Sequence, residues 1–309
     1  MLWAALALVA ITARLTQYAQ RPPAAKGLDA PVSEFSAQRA LAVLQGLLGE
    51  QTPHPLGSGA NAQVRARIVR QFEQLGYRPE LQSNFMACDA RGGCGIPTNI
   101  IARLPGTAGD ESAVVLSAHY DSVAAGPGAS DDGAGVAAAL EIARILRLGA
   151  PPRHSVIFLI DDGEEAGLLG AEAFVRHHRW ARSVQADVNL EARGTSGPSY
   201  MFETGAANRW LMALYAAVEA RPIANSIYYS AYRAMPNDTD FTVFKAAGWQ
   251  GFNFAFIDGV AHYHTALDDW RHADARSIQD QGERALAALR GLANADLARA
   301  GAGQAEYFD

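Results

Sequence analysis

Three polar knots between Ser117 and Ala166 constrain this chain more than anything else in it. They are Ser117-Ala-His-Tyr-Asp-Ser122, Ser130-Asp-Asp-Gly-Ala-Gly135 and Asp161-Asp-Gly-Glu-Glu-Ala166. Two follow directly on apolar, β-branched runs, Ala113-Val-Val-Leu-Ser117 and Ser155-Val-Ile-Phe-Leu-Ile160, which read as buried strands. The knot at Ser130 opens a helix. One His and many carboxylates therefore converge at one edge of a sheet. Such a concentration of negative charge is costly unless a cation neutralises it. Oxygen ligands with imidazole suit zinc or a similar divalent metal.

The rest of the chain alternates in the same way. Helices are predicted over Ser36–Leu48, Asn61–Leu75, Asp132–Leu148, Leu168–His178, Ala206–Ala220, Asp240–Ala247 and Ser277–Leu297. Strands are predicted over Pro79–Met86, Asn99–Leu104, Ala113–Ala118, Ser155–Ile160, Ala186–Leu190, Tyr200–Glu203 and Gly251–Ile257. Strands alternating with helices specify an α/β class: a mostly parallel mixed sheet covered on both faces, hence three layers. Ligands in such sheets lie outside the carboxyl ends of the strands, where the knots are.

The 309 residues suffice for one large domain, and we expect it to span 35–300, with a tail at 301–309. A net charge of −6 without any Lys/Arg block gives no reason to expect a nucleic-acid partner, and none is expected. Leu2–Thr12 is apolar and uncharged, but shorter than the 18 or so residues that span a bilayer. Residues 1–21 thus read as a signal peptide or membrane anchor, and the Pro/Ala/Gly-rich stretch 22–34 as a linker. Export to a periplasmic or extracellular space, with attachment to the membrane through the N-terminal segment, is the corresponding expectation. Cys88 and Cys94, in a Gly-rich loop, are expected to form a small disulfide in an oxidising compartment, the alternative being two free thiols.

Each knot has its own chemistry. His119 is a metal-ligand candidate, with Asp121 two residues on to fix its tautomer. Asp131 and Asp132 precede a helix; one could bridge two ions while the other supports the loop or caps the helix. Of Glu164 and Glu165, one can bind metal and the other can act as general base. Glu191 ends the next strand. Three late histidines, His262, His264 and His272, compete for a further ligand position, and spacing does not choose among them. Asp161 and Asp162 are left as a solvated acidic turn.

These motifs carry a resemblance. In order and spacing the chain resembles the co-catalytic zinc aminopeptidases, which include leucyl-type aminopeptidases, glutamate carboxypeptidase and the endoplasmic-reticulum and vacuolar membrane metallopeptidases. The similarity runs from Thr52-Pro-His-Pro-Leu-Gly-Ser58 to Tyr263-His-Thr265 and includes Asn189-Leu-Glu-Ala-Arg-Gly194 and Asp238-Thr-Asp-Phe241. It implies a zinc-peptidase (phosphorylase/hydrolase-like) fold, a peptide substrate and two zinc ions per chain. It implies that His119 and Glu191 bind one zinc, Glu165 and His264 the other, and that Asp131 bridges both. By the same resemblance Glu164 is the base, Asp121 orients His119 and Tyr263 donates to the oxyanion. Several members carry Asp where Glu191 stands, so that ligand has a longer arm here. Asp238 and Asp240 line the pocket, hold the loop or cap a helix. Arg193 and Arg233 are candidates for the basic clamp a carboxypeptidase would need. With its end at Asp309, the sequence is expected to lack the membrane segments that follow in the larger members.

The expected activity is therefore that of a metallo-exopeptidase, an aminopeptidase in the first place. Single-zinc glutaminyl cyclases share the His-Tyr-Asp-Ser and Asp-Gly-Glu-Glu-Ala motifs, but Ser130-Asp-Asp-Gly-Ala-Gly135 and Tyr263-His264 look peptidase-like. A non-catalytic binding domain would be missing a ligand or the base, and none is missing.

Overall fold

Two strands buried on both faces anchor the architecture. The computed structural model describes residues 20–89, 92–205 and 207–297, with positions 3, 6, 11, 12, 14, 303 and 305–307. The segment Leu2–Thr12 and the tail lie largely outside the described residues. No helix among the described residues is long and apolar enough to cross a membrane.

The strands are β1 (Glu80–Gln82), β2 (Ala87–Cys88), β3 (Cys94–Gly95), β4 (Asn99–Leu104), β5 (Ala113–His119), β6 (Ser155–Asp161), β7 (Val184–Ala192), β8 (Tyr200–Thr204) and β9 (Gln250–Phe256). The helices are α1 (Ala37–Leu48), α2 (Gly59–Gln74), α3 (Gly133–Leu148), α4 (Leu169–His177), α5 (Arg209–Val218), α6 (Ser226–Tyr232), α7 (Asp240–Ala246) and α8 (Ala275–Asn294). Seven strands form one sheet in the order β1-β4-β6-β5-β7-β9-β8. The inner four, β6, β5, β7 and β9, are parallel; β1, β4 and β8 pair antiparallel at the two edges. Every residue of β5 and β6 is buried, which is why both read as unbroken apolar runs rather than alternating ones. Helices start where side chains cap them: Ser36, Ser58, Asp132 and Asp274 each accept a backbone N–H of the first turn, worth about 1 kcal/mol apiece.

One sheet face packs on α1, α2, α3, α5 and α8 through residues such as Leu44, Ile68, Phe72, Ile142 and Leu289. The other face packs on α4 and α7 through Ala171, Phe174, Phe241 and Phe244. Period two then locates the site. On the α4/α7 face, β5 reads Ala113, Val115, Ser117, His119; β6 reads Ile157, Leu159, Asp161; and β7 ends Asp187, Asn189, Glu191. Each strand turns from apolar to polar toward its carboxyl end. Ser117 pairs with Asn189, Asn189 with Asn253 and Asn253 with Glu203, so a polar row crosses four strands. It is hydrogen-bonded internally: Ser117 Oγ donates to Asn189 (2.7 Å), Asn189 Nδ2 to Asn253 (3.0 Å), and Asn253 Nδ2 to Glu203 (3.1 Å) and Thr239 (2.8 Å).

Three expectations change. The strand expected over Pro79–Met86 stops at Gln82, because its partner β4 begins at Asn99, two residues after Pro97. Helix α6 was not expected; none of its residues is buried, so it has no apolar stripe to read. Asp161 and Asp162 are buried at 0% and 1% exposure and are not a solvated turn. Residues 22–34 have no helix or strand and lie against the body. Arg39 donates to the Ala30 and Glu34 carbonyls, Arg276 to those of Pro22 and Pro23, and Lys26 pairs with Glu283. Cys88 and Cys94 form a disulfide between β2 and β3.

Candidate metal centre

The ends of β5 and β7, the start of α3 and the turn after β6 deliver their side chains to one place. His119 Nε2 lies 3.3 Å from Asp131 Oδ1 and 3.9 Å from Glu191 Oε2. His264 Nε2 lies 3.1 Å from Asp131 Oδ2 and 3.0 Å from Glu165 Oε1. Two ligand triplets result, His119–Asp131–Glu191 and Asp131–Glu165–His264, each with its donor atoms within 4.8 Å of one another. Asp131 belongs to both, one oxygen toward each.

His119 Nε2 is within hydrogen-bond reach of Asp131 Oδ1, but one close contact in the other triplet is not a hydrogen bond. Glu165 Oε1 and His264 Nε2 are buried and make no hydrogen bond, although they are 3.0 Å apart. Buried polar atoms are normally paired. Converging lone pairs without a bridging proton are what a cation between them would satisfy. The donor set, imidazole and carboxylate only, fits zinc.

The local backbone serves this convergence. Gly128 has φ +61°, and a Cβ there would come within 2.5 Å of the Asp131 carbonyl oxygen. Gly163, φ +81°, turns the chain out of β6 into Glu164–Glu165. His264 itself is left-handed at φ 56°, a conformation held against its cost and common at functional sites. Asp121 holds two parts together: its carboxylate accepts the backbone N–H of Glu164 (3.1 Å) and Glu165 (3.3 Å). The same residue meets His119 Nδ1 through its carbonyl at 3.1 Å and its carboxylate at 3.4 Å.

Electrostatics follow from burial and crowding. Burial, with the charges of Glu191, Asp240 and Glu165, holds the Glu164 carboxyl well above the usual range. Burial and the Asp131 charge push Glu165 up to about 7. Burial alone would push His264 down, but Asp131 and Glu165 lift it to about 9. Asp131 goes the other way: burial would raise it, and His119 and His264 bring it below its ordinary value. Beneath the centre, burial and the neighbouring Asp240 raise Asp161 strongly, while burial, with the Asp121 charge and against a hydrogen bond with Asp161, raises Asp240 to about 6.

The remaining candidates separate by geometry. Glu164 is in neither triplet; its Oε2 is 4.0 Å from His119 Nε2, and it lines a cavity of about 500 Å³. Tyr263 lines the same cavity and stacks on His264, ring centres 3.7 Å apart. Burial, with Asp131 and Glu165 nearby, pushes its hydroxyl up, so it remains a donor. His262 is near Thr195 (2.9 Å) and His272 near Asp269 (2.9 Å); neither reaches the triplets. Asp162 accepts from Asn61 Nδ2 and the Thr98 N–H, a structural role. Asp238 lines the cavity and accepts from Thr242 Oγ1. Arg193 lines the cavity, whereas Arg233 lies over the Tyr229 ring outside it. Sequence reasoning missed Asp268, whose carboxylate accepts the N–H of Ser130 (2.8 Å) and Asp131 (3.1 Å). Its only signal was an acidic residue shortly after His264.

Residues 99–289 match the profile of peptidase family M28. The chain belongs to that family. It is 36% identical over 203 residues to endoplasmic reticulum metallopeptidase 1 of Mus musculus, covering 64% of this chain and 23% of that protein. It spans about a quarter of the length of that relative. A vacuolar membrane protease of Yarrowia lipolytica is 33% identical over 249 residues, 72% of this chain and 25% of that one. In fold this M28 chain is similar to a zinc aminopeptidase from Bacillus subtilis, with a TM-score of 0.68, 15% identity, and coverage of 84% of this chain and 96% of the other. M28 membership makes the chain a metallopeptidase-type hydrolase, and its mixed sheet between helical layers is the corresponding three-layer α/β fold.

Proposed function

We propose that this chain is a di-zinc aminopeptidase that removes N-terminal residues from peptides. The observation that carries this reading is Asp131, shared by two triplets, one of which contains buried donors that face each other without a hydrogen bond. His119, Asp131 and Glu191 would hold one zinc, and Asp131, Glu165 and His264 the other. When bound, the metal pair supplies Lewis acidity, acidifying water and polarising the substrate carbonyl. Glu164, outside both triplets and facing the cavity, takes the proton from the attacking water and gives it to the leaving amine. Asp121 fixes the backbone from which Glu164 and Glu165 project. The Tyr263 hydroxyl donates to the developing oxyanion. The reducible Cys88–Cys94 bridge supports an exported setting, with attachment to a membrane through the N-terminal segment.

Metal analysis and an assay on N-terminally free and blocked peptides test this reading together. Two zinc ions per chain and cleavage of only the free peptides are expected. A single zinc, with cyclisation of N-terminal Gln peptides, would overturn it.

A further inference from the structure

The cavity beside the metal centre is walled by Tyr200, Phe202, Tyr228, Tyr232, Met235 and Ile257, with Arg193 as the one Lys or Arg in its lining among the described residues. Period two places Arg193 on the same sheet face as Glu191, just past the end of β7. There its N–H donates to the Phe256 carbonyl. Its guanidinium is steered: Nη1 donates to Asn237 Oδ1 at 2.7 Å, and Cζ sits 5.7 Å from the centre of the Tyr263 ring. Among the described residues no carboxylate pairs with it, and its Nε and Nη2 make no hydrogen bond. The Nε–Nη2 edge is one of the side-by-side donor pairs with which a guanidinium holds a carboxylate bidentately.

We propose that Arg193 is a specificity-determining residue that pairs with a carboxylate of the peptide substrate. This rests on the peptidase reading of the site. A cation oriented by Asn237 and Tyr263, left without a protein carboxylate next to a catalytic cavity, has its partner supplied by the ligand. Two sources offer that group: the C-terminal carboxylate of a dipeptide, or the side chain of an N-terminal Asp or Glu. Either would make the enzyme selective for a negative charge close to the scissile bond, against a metal centre that is itself rich in carboxylates.

The test compares Phe-Ala with Phe-Ala-amide, and Glu-Ala-amide with Gln-Ala-amide, on wild type, R193K and R193Q. KM and kcat are measured on the zinc-loaded enzymes, and affinity by calorimetry on zinc-loaded E164Q with and without R193Q. In wild type, loss of the relevant carboxylate weakens binding about ten- to a hundred-fold, the range of a charge-assisted hydrogen-bonded pair. R193Q abolishes the discrimination, and R193K restores part of it. The pair of peptides that discriminates identifies the source of the carboxylate. The proposal is overturned if wild type treats both pairs alike, or if R193Q weakens free and amidated peptides equally, as a merely structural wall residue would. Absence of turnover on any peptide would sink the peptidase reading. The calorimetry would still decide the carboxylate preference separately, with equal affinities in both pairs counting against it.

Discussion

Asp268 accepts the backbone N–H of Asp131 at 3.1 Å and that of Ser130 at 2.8 Å. The shared metal-ligand candidate is thus hung from a carboxylate four residues after the candidate ligand His264. The two bonds tie the segment before α3 to the loop that follows β9, the loop that also carries His264. Asp268→Ala leaves two buried N–H groups without acceptors. Partners of this kind typically contribute 10–100-fold to metal affinity, and we expect a loss of that order. Asp268→Asn keeps one acceptor oxygen and should recover part of it. Competition with a chromophoric chelator measures both. Unchanged affinity in the alanine variant would remove Asp268 from the metal-supporting group.

Glu164 and Glu165 are neighbours in sequence with different geometry. Only Glu165 belongs to a triplet. Glu164→Gln should therefore keep full metal content and lose about 10²–10⁴ in kcat. Glu165→Gln should lose metal first and activity as a consequence. Metal content read beside single-turnover rates separates the two. A Glu164→Gln enzyme with near wild-type turnover would refute its role as base.

Much of this was readable along the chain because β5, β6 and β7 are each continuous segments, β5 and β6 running into a polar knot and β7 ending in Glu191. The sheet and the capped helix α3 follow from local pattern; His119, Asp131, Glu164, Glu165 and Glu191 stand out there as candidates, and the family resemblance is what assigns them their places. What local pattern lacks is the partner. His264 could not be told from His262 and His272 until the loop after β9 was folded onto Asp131. Asp161 and Asp162 look like a solvated turn in sequence; they are buried because α7 brings Asp240 to one and Asn61 and Thr98 reach the other. The polar row Ser117–Asn189–Asn253–Glu203 is invisible for the same reason. Its members come from four strands and meet only through register.

That row gives a third prediction. Asn253 donates to Glu203 and Thr239 and accepts from Asn189, all in the interior. Asn253→Leu leaves several buried groups unpaired at once, at about 1–3 kcal/mol each before relaxation. A net destabilisation of roughly 3 kcal/mol is expected from denaturant unfolding, with m unchanged. The row lies one pleat below His119 and Glu191, so metal affinity should fall as well. A variant as stable as wild type would show that the row is not a hydrogen-bonded unit.

The last prediction concerns the metal-free chain and pH. Burial and neighbouring charge raise Asp162, Asp240 and Asp268 to about 6 from an ordinary value of 3.8, and Glu165 to about 7 from 4.5. His264 is raised to about 9 from 6.5 by its flanking carboxylates. Each of these groups binds protons more tightly folded than unfolded. Its contribution is therefore fully present below the unfolded value and is lost as pH rises through the folded one. The carboxyl groups lose theirs between about pH 4 and 7, and His264 between about 6.5 and 9. His54 and His178, lowered chiefly by burial, oppose this near pH 6.5 and are outnumbered. Asp131, lowered by its two histidines, acts only in acid. The metal-free protein should thus be less stable at pH 7.5 than at pH 5. Zinc should reverse the slope, because it binds the folded, deprotonated ligands and stabilises by mass action. Urea unfolding at the two pH values, with chelator and with zinc, reads this directly. A metal-free protein more stable at pH 7.5 would mean that the carboxylates are not crowded as the structure has them.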